Sequence, residues 1–310
     1  MRSPVALLLA VCALVSLAGC GLGSGNEQSG DAAAVRVTRD FGTELLSSDR
    51  FEKVRDGQTV MRALQSRRNV ETRFGGGFVQ SIDGLSGQGA SDTEDWFYYV
   101  NGLEASVGAA DYDLSPGDVV QWDYREWGET MDVGAIVGAF PEPFLHGQDA
   151  KRFPVRVECE DVETQACKSV KASLEEVGVP ATGSSLGASG NQDVVRVVVA
   201  TWARARELPS AKVVEQGPGK SGVFARYSSD GERLDLLDER GETVRAAGPD
   251  TGLVAALRPA ESEIVWLVTG GDEAGVENAA AAFNADSLRD AFAVAATPDG
   301  PEKLPLAASP

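Results

Sequence analysis

Two hydrophobic periods divide this chain. From about Val35 to Trp127 the apolar residues come in short runs punctuated by Gly, Asn and Pro. Val35 to Asp40 reads as a polar, charged strand. Thr59-Val60-Met61-Arg62-Ala63-Leu64 opens a short helix, with Thr59 as its N-cap and Val60, Ala63 and Leu64 on one face. Runs at Val70 to Phe74, Phe78 to Ile82 and Trp96 to Val100 each lead into Gly or Asn-Gly turn chemistry, which marks strands. A last run, Val119 to Tyr124, follows the turn set by Pro116-Gly117. One helix among these strands predicts a small α+β unit. Because successive side chains of a strand alternate, Trp96, Tyr98 and Val100 share one side, and Phe97 and Tyr99 the other.

Farther along, the runs lengthen. Phe153 to Cys159 alternates as a strand, and Val162, Ala166, Val170, Leu174 and Val177 then recur at helical spacing. Asp193 to Ala200 and Glu263 to Thr269 are nearly unbroken apolar runs, the pattern of strands covered on both faces. Gly222 to Arg245 reads as a meander. After Gly270-Gly271 a helix places Val276, Ala279, Ala280 and Phe283 on one face, and Ala291 to Ala296 returns as a strand. The chain is therefore expected to be α+β in class. A small domain at residues 35–138 precedes a Pro-rich linker at 139–153, an α/β layered domain at 154–297 and a disordered tail at 298–310.

The first residues carry a different signal. Arg2 precedes an apolar run from Pro4 to Ala18, too short to span a bilayer but suited to a signal peptide, and Leu17-Ala18-Gly19-Cys20 closes it as a lipobox. Residues 1–19 then form a lipoprotein signal peptide, Cys20 is the acylated start of the mature chain, and residues 20–34 are a flexible spacer. Acyl chains contribute roughly 0.8 kcal/mol per buried CH₂, so two or three anchor stably. The expected address is extracytoplasmic, attached to the cell membrane. An ordinary secretory peptide that happens to end in Cys is the alternative.

Charge narrows the partners. With 47 acidic residues against 28 basic ones and a net charge of −19, the surface repels phosphate backbones and anionic headgroups. No nucleic acid partner is expected, and the membrane contact is expected through the lipid anchor. Solubility of a surface protein explains the same acidity. Outside the cytoplasm Cys159 and Cys167 are free to oxidise, and a disulfide closing so short a loop stabilises by roughly 2 to 3 kcal/mol on chain-entropy grounds. Two reduced thiols are the other reading. A metal site lacks the usual zinc spacing, so no metal is expected.

Catalysis finds little support in the residue counts. The sole histidine, His146, lies among prolines and offers no credible base for a Ser-His-Asp or Cys-His arrangement, so no enzyme activity is expected. Gly270-Gly271-Asp272-Glu273 sits where an anion-binding turn would, but its acids oppose a phosphate and suit a helix cap. Gly219-Lys220-Ser221 imitates part of a phosphate loop, yet Val214 stands where the first glycine is needed.

The informative cluster combines Thr59-Val60 and Ala63-Leu64 with Gly75-Gly76-Gly77-Phe78-Val79-Gln80-Ser81-Ile82-Asp83-Gly84, Asp95-Trp96-Phe97-Tyr98-Tyr99-Val100-Asn101-Gly102, and Pro116-Gly117-Asp118-Val119-Val120-Gln121-Trp122-Asp123-Tyr124. Over residues 56–126 these motifs resemble the transcobalamin C-terminal-like family, a β-grasp module of DUF4430 type found in bacterial surface proteins. The resemblance implies a non-catalytic binding domain. Its members cover one face of a corrinoid, so cobalamin becomes a candidate ligand rather than a cofactor, and a membrane transporter a candidate partner. Trp96, Tyr98, Tyr99 and Asn101 are the candidate ligand contacts; packing and turn formation explain the same residues. A structural or protein-interaction role in the cell envelope is the alternative to ligand capture.

Overall fold

Strand β1 (Ala33–Arg39) sends Ala33, Val35 and Val37 to one side and Arg36 and Thr38 to the other, and neither side faces open water. The computed structural model describes residues 32–87, 93–188 and 194–308. Cys20, the signal peptide and most of the spacer lie outside the described residues. The first domain continues with β2 (Glu44–Phe51), helix α1 (Val60–Gln65), the hairpin β3 (Val70–Arg73) and β4 (Phe78–Ile82), then β5 (Glu94–Val100), β6 (Leu103–Glu104) and β7 (Val119–Glu126). Its main sheet runs β2-β1-β7-β5-β6, with β1 and β7 parallel at the centre. Thr59 caps α1 as its type predicts, accepting from the Arg62 amide at 3.2 Å, and Val60, Ala63 and Leu64 are buried. They pack on Val35, Val37, Trp96, Val100, Val120 and Trp122 from one face of the sheet.

Strand β2 has no counterpart in the hydrophobic pattern, because it is an edge strand whose Leu45 and Leu46 are exposed. Pairing with β1 holds it, and of its side chains only Phe51, at its end, is buried.

The second domain is layered around one sheet. It comprises β8 (Val155–Cys159), α2 (Gln165–Glu176), β9 (Ala181–Ser185), β10 (Val195–Thr201), a three-stranded meander of β11 (Ala225–Tyr227), β12 (Leu234–Leu237) and β13 (Thr243–Ala247), then β14 (Gly252–Ala260), β15 (Glu263–Gly270), α3 (Glu273–Ala281), β16 (Ala293–Thr297) and β17 (Gly300–Leu304). The order β17-β16-β14-β15-β10-β8-β9 joins a parallel half, β15 to β9, to an antiparallel half. Helices α2 and α3 cover the face carrying Val195, Val197 and Val199. Val198 and Ala200 face short helical turns, the meander and, from the first domain, Phe41 and Tyr99. Both faces of the apolar strands are thus dry, as their composition demands. Arg196 interrupts β10, and its buried charge is balanced by Glu158 at 3.1 Å and Glu263 at 3.4 Å. Cys159, at the end of β8, and Cys167, in the first turn of α2, form a disulfide with Cα atoms 6.0 Å apart.

Three expectations change. The segment at 139–153 is not a free linker: Phe144 lies 4.8 Å from the Trp266 ring and Phe140 lies 5.1 Å from Phe283, inside the second domain's core. Two aromatic side chains bury about 1.5 to 3 kcal/mol each, which outweighs the loop preference of the surrounding prolines. The tail is not disordered over 300–304, because β17 pairs with β16 and buries Leu304. Val162 stands outside α2 and is exposed, since the helix starts only after the Thr164 cap. Among the described residues no helix is long and apolar enough to cross a membrane.

Candidate functional site

The outer face of the first sheet is covered by the second domain. That face carries Arg36, Thr38, Phe97, Tyr99, Gln121, Asp123 and Arg125, and Thr38, Tyr99, Gln121, Asp123 and Arg125 are wholly buried. Asp123 accepts from the Thr38 hydroxyl at 2.6 Å and from the amides of Phe41 at 3.1 Å and Gly42 at 2.9 Å. Burial pushes its carboxyl up to about 6 against these bonds. Gln121 donates to the Asp290 carbonyl at 3.1 Å, and a Cβ on Gly42 would come 1.8 Å from that same oxygen. Arg125 lies over the Phe97 ring at 3.8 Å and donates to the Thr130 and Met131 carbonyls.

The four residues expected to touch ligand occupy structural positions and are not brought together at one opening. Trp96 is buried against Tyr124, with its indole donating to the Leu85 carbonyl at 3.2 Å. Tyr98 stacks on Trp122 at 4.9 Å, and its hydroxyl donates to the Val107 carbonyl. Tyr99 points the other way, into the domain junction, 5.5 Å from Phe292. Asn101 is 1 % exposed; it donates to Asp118 and to the Gly147 carbonyl, both at 2.9 Å, and accepts from the Val119 amide at 2.8 Å. With φ of 55° it also begins the tight turn into Gly102. Packing and turn formation account for all four.

What stays open is the edge of the junction. A cleft of about 430 Å³ lies between β6, the strand-to-strand segment at 132–134, the helical turn Pro218–Ser221 and the β14–β15 hairpin. Glu104, Asp132 and Glu261 bring negative charge to it, and Lys220 and Arg258 positive charge. Arg258 ties the walls together: it donates to the Glu104 carbonyl at 3.0 Å, the Gln148 side chain at 3.1 Å and the Glu261 carbonyl at 3.1 Å. Burial pushes the Glu104 carboxyl up to about 7, with Arg125 and Arg258 opposing and Asp132 assisting. It can therefore hold or release a proton near neutrality. Ser221 is held by its own turn, donating to the Gly217 carbonyl at 2.9 Å. Convergent charges of both signs in a cleft this size suit a small polar or zwitterionic ligand.

The sequence offered no sign of this cleft except Lys220, in the Gly-Lys-Ser stretch that lacks a phosphate loop's first glycine. Glu104, Asp132, Arg258 and Glu261 come from separate segments and belong to no motif, so only the packing of one domain on the other assembles them. A second crevice, of about 370 Å³, opens beyond the carboxyl ends of β8 and β10, where chain connections part to opposite sides. Its Glu160 is engaged by the Thr201 amide and hydroxyl at 3.1 and 2.8 Å.

Residues 57–126 match the family model described as Domain of unknown function (DUF4430). They form a DUF4430 domain. Its β5, β7 and α1 supply the motifs and the inner core, while β1 and β2 precede the matched residues. Solved structures similar to the chain include a protein of Ruminococcus gnavus ATCC 29149 to which metal binding is ascribed, with 20% identity over 31% of this chain and 97% of that one, and a TM-score of 0.25. Another is haptocorrin in complex with Cbi, with 18% identity over 33% of this chain and a TM-score of 0.23. The match spans 27% of the haptocorrin chain. No curated protein matches. Among the described residues, no three His, Cys, Asp or Glu side chains are grouped so as to hold a metal.

Proposed function

We propose that this protein is a non-catalytic, lipid-anchored binding protein on the outer side of the cell membrane, whose DUF4430 and α/β domains together hold a small polar ligand in the cleft between them. The observation that carries this reading is the convergence of Glu104, Asp132, Lys220 and Arg258, from both domains, on one cleft. The lipobox at Cys20 supports the address. The specific form of the reading is capture of cobalamin or another corrinoid for a membrane transporter, motivated by the transcobalamin-like motifs. With the sheet face covered, such a ligand would meet the DUF4430 domain at its β6 edge rather than over its strands.

Calorimetry of the full chain with cobalamin and with cobinamide tests the specific form. Binding that Arg258→Ala weakens supports it; no heat with either compound removes corrinoids and leaves smaller polar ligands for the same cleft. Replacing Cys20 with Ser should release the protein into the medium while leaving ligand affinity unchanged. Retention of that variant at the membrane would overturn the anchor.

One observation favours docking in the envelope instead. Phe74 is 88% exposed at the tip of the β3–β4 hairpin, and Phe78 lies 6.3 Å from it, ring to ring. Exposed paired aromatics suit a protein partner. If Phe74→Ser with Phe78→Ser abolishes association with envelope proteins while calorimetry shows no small ligand, this second reading replaces the first.

A further inference from the structure

We propose that a basic groove between the end of β2 and helix α1 is a second binding site, for a phosphate ester, independent of the cleft between the domains. The groove has a volume of about 690 Å³ and is lined by Lys53, Arg55, Arg62 and Arg67. These four cations stand together on a chain whose net charge is −19. None of them forms an ion pair with a described residue, whereas arginines elsewhere on the molecule, such as Arg36, Arg68 and Arg245, pair with carboxylates. Of the two acids at the groove, Glu52 is engaged by Arg50 at 3.1 Å, which leaves Asp56 as the opposing charge.

The site is also built in advance. Arg67 is held over the Phe51 ring, 5.2 Å from its centroid, and Phe51 is buried beneath it. Such a contact orients the guanidinium without neutralising it. Arg62 donates to the Gly57 carbonyl at 2.7 Å, which fixes its stem along the outer side of α1. The Arg55 amide donates to the Gln58 side chain at 3.0 Å, folding the β2–α1 loop back towards the helix. Guanidinium groups present paired donors that match phosphate oxygens, and several of them around one cleft satisfy a tetrahedral oxyanion better than a carboxylate with its two oxygens. Neither fold stability nor solubility calls for unpaired positive charge here, because no partner is neutralised and the chain as a whole is strongly acidic. The ligand chemistry is therefore a phosphate ester, either free in solution or displayed as the headgroup of an anionic phospholipid.

The test uses the full chain carrying Cys20→Ser, so that no acyl chain contributes. One arm titrates glycerol phosphate by calorimetry; the other sediments vesicles of phosphatidylglycerol and phosphatidylcholine in equal parts, with pure phosphatidylcholine vesicles as reference. Binding to glycerol phosphate alone supports the site with a soluble ester. Binding to the phosphatidylglycerol vesicles alone supports it with a lipid source, and both together support the shared chemistry. In each case Arg55→Glu with Arg62→Glu should weaken binding by about tenfold or more, the worth of a lost charge-assisted hydrogen bond, while Lys171→Glu, the same charge reversal away from the groove, should not. If the double variant unfolds, Lys53→Gln with Arg55→Gln, confined to the loop, serves in its place. No binding in either arm overturns the proposal, as does binding that the groove variants leave intact. Because the probes and variants differ from those for the interdomain cleft, either site can fail alone.

Discussion

Arg36 of β1 donates to the carboxylate of Asp290 at 3.0 Å, across 254 residues of chain, and donates to the Gly138 carbonyl at 3.1 Å as well. This pair ties the sheet of the first domain to the loop before β16, and Asp290 is nearly buried, with 5% of its side chain exposed. Removing one member of a buried ion pair leaves the other charge without its partner. Arg36→Ala is expected to lower the free energy of unfolding by about 3 kcal/mol. Urea denaturation measures it, and a loss within about 0.5 kcal/mol of zero would mean that other contacts carry the junction.

Mild acid should strengthen the fold. Burial pushes Glu104 up to about 7 and Asp118 up to about 6, and the hydrogen bond to Glu142 raises His146 above the ordinary imidazole value. Each carboxyl holds its proton more tightly folded than unfolded, so the folded state loses ground as pH rises from the ordinary carboxyl range through these raised values. His146 acts in the same direction: its contribution is complete below the unfolded value and is lost as pH passes the raised one. The midpoint of thermal unfolding, followed by circular dichroism, should therefore be higher at about pH 5 than at about pH 8. Glu104→Gln should flatten the part of that slope nearest neutrality. A midpoint that climbs between these pH values would contradict the assignment.

Asn101 offers a separation of structure from ligand contact. Its side chain meets Asp118, the Gly147 carbonyl and the Val119 amide in a site closed to solvent. Asn101→Ala strands buried polar groups and places alanine at a left-handed φ, so it should destabilise by about 2 to 3 kcal/mol in chemical denaturation. Ligand affinity of the remaining folded protein should be unchanged. A stable variant with lost affinity would restore Asn101 as a contact residue.

The disulfide should act mainly on the unfolded chain. Cys159 and Cys167 are separated by 8 positions and staple the end of β8 to the first turn of α2. Replacing both with Ser is expected to lower stability by about 2 to 3 kcal/mol on chain-entropy grounds. The difference between wild type and variant should vanish when wild type is measured under reducing conditions, and a difference that survives reduction would point to packing instead.

Local order was legible wherever a residue type has one strong preference. Thr59 before Val60 caps α1, Asn101-Gly102 turns the chain between β5 and β6, and the period in Val195 to Ala200 makes a strand dry on both sides. These features arise from neighbours in sequence, so the sequence determined them. The edge strand β2 escaped because its exposed leucines follow no buried period, and the segment at 139–153 misled because proline density outweighed Phe140 and Phe144 in a local reading.

The polar face of the first sheet shows the boundary most clearly. Alternation alone assigns Arg36, Thr38, Gln121 and Asp123 to one side of β1 and β7, and such a row reads equally well as a face in water or in a polar interface. Only the tertiary structure decides, by setting the Asp290 loop against Arg36 and Gln121 of that row and Phe292 against Tyr99 on the same face of β5. The same docking creates the cleft of Glu104, Asp132, Lys220 and Arg258 from distant segments. Sequence determines which side chains share a face, because backbone geometry is local; what covers the face depends on contacts hundreds of residues apart, which no local period records.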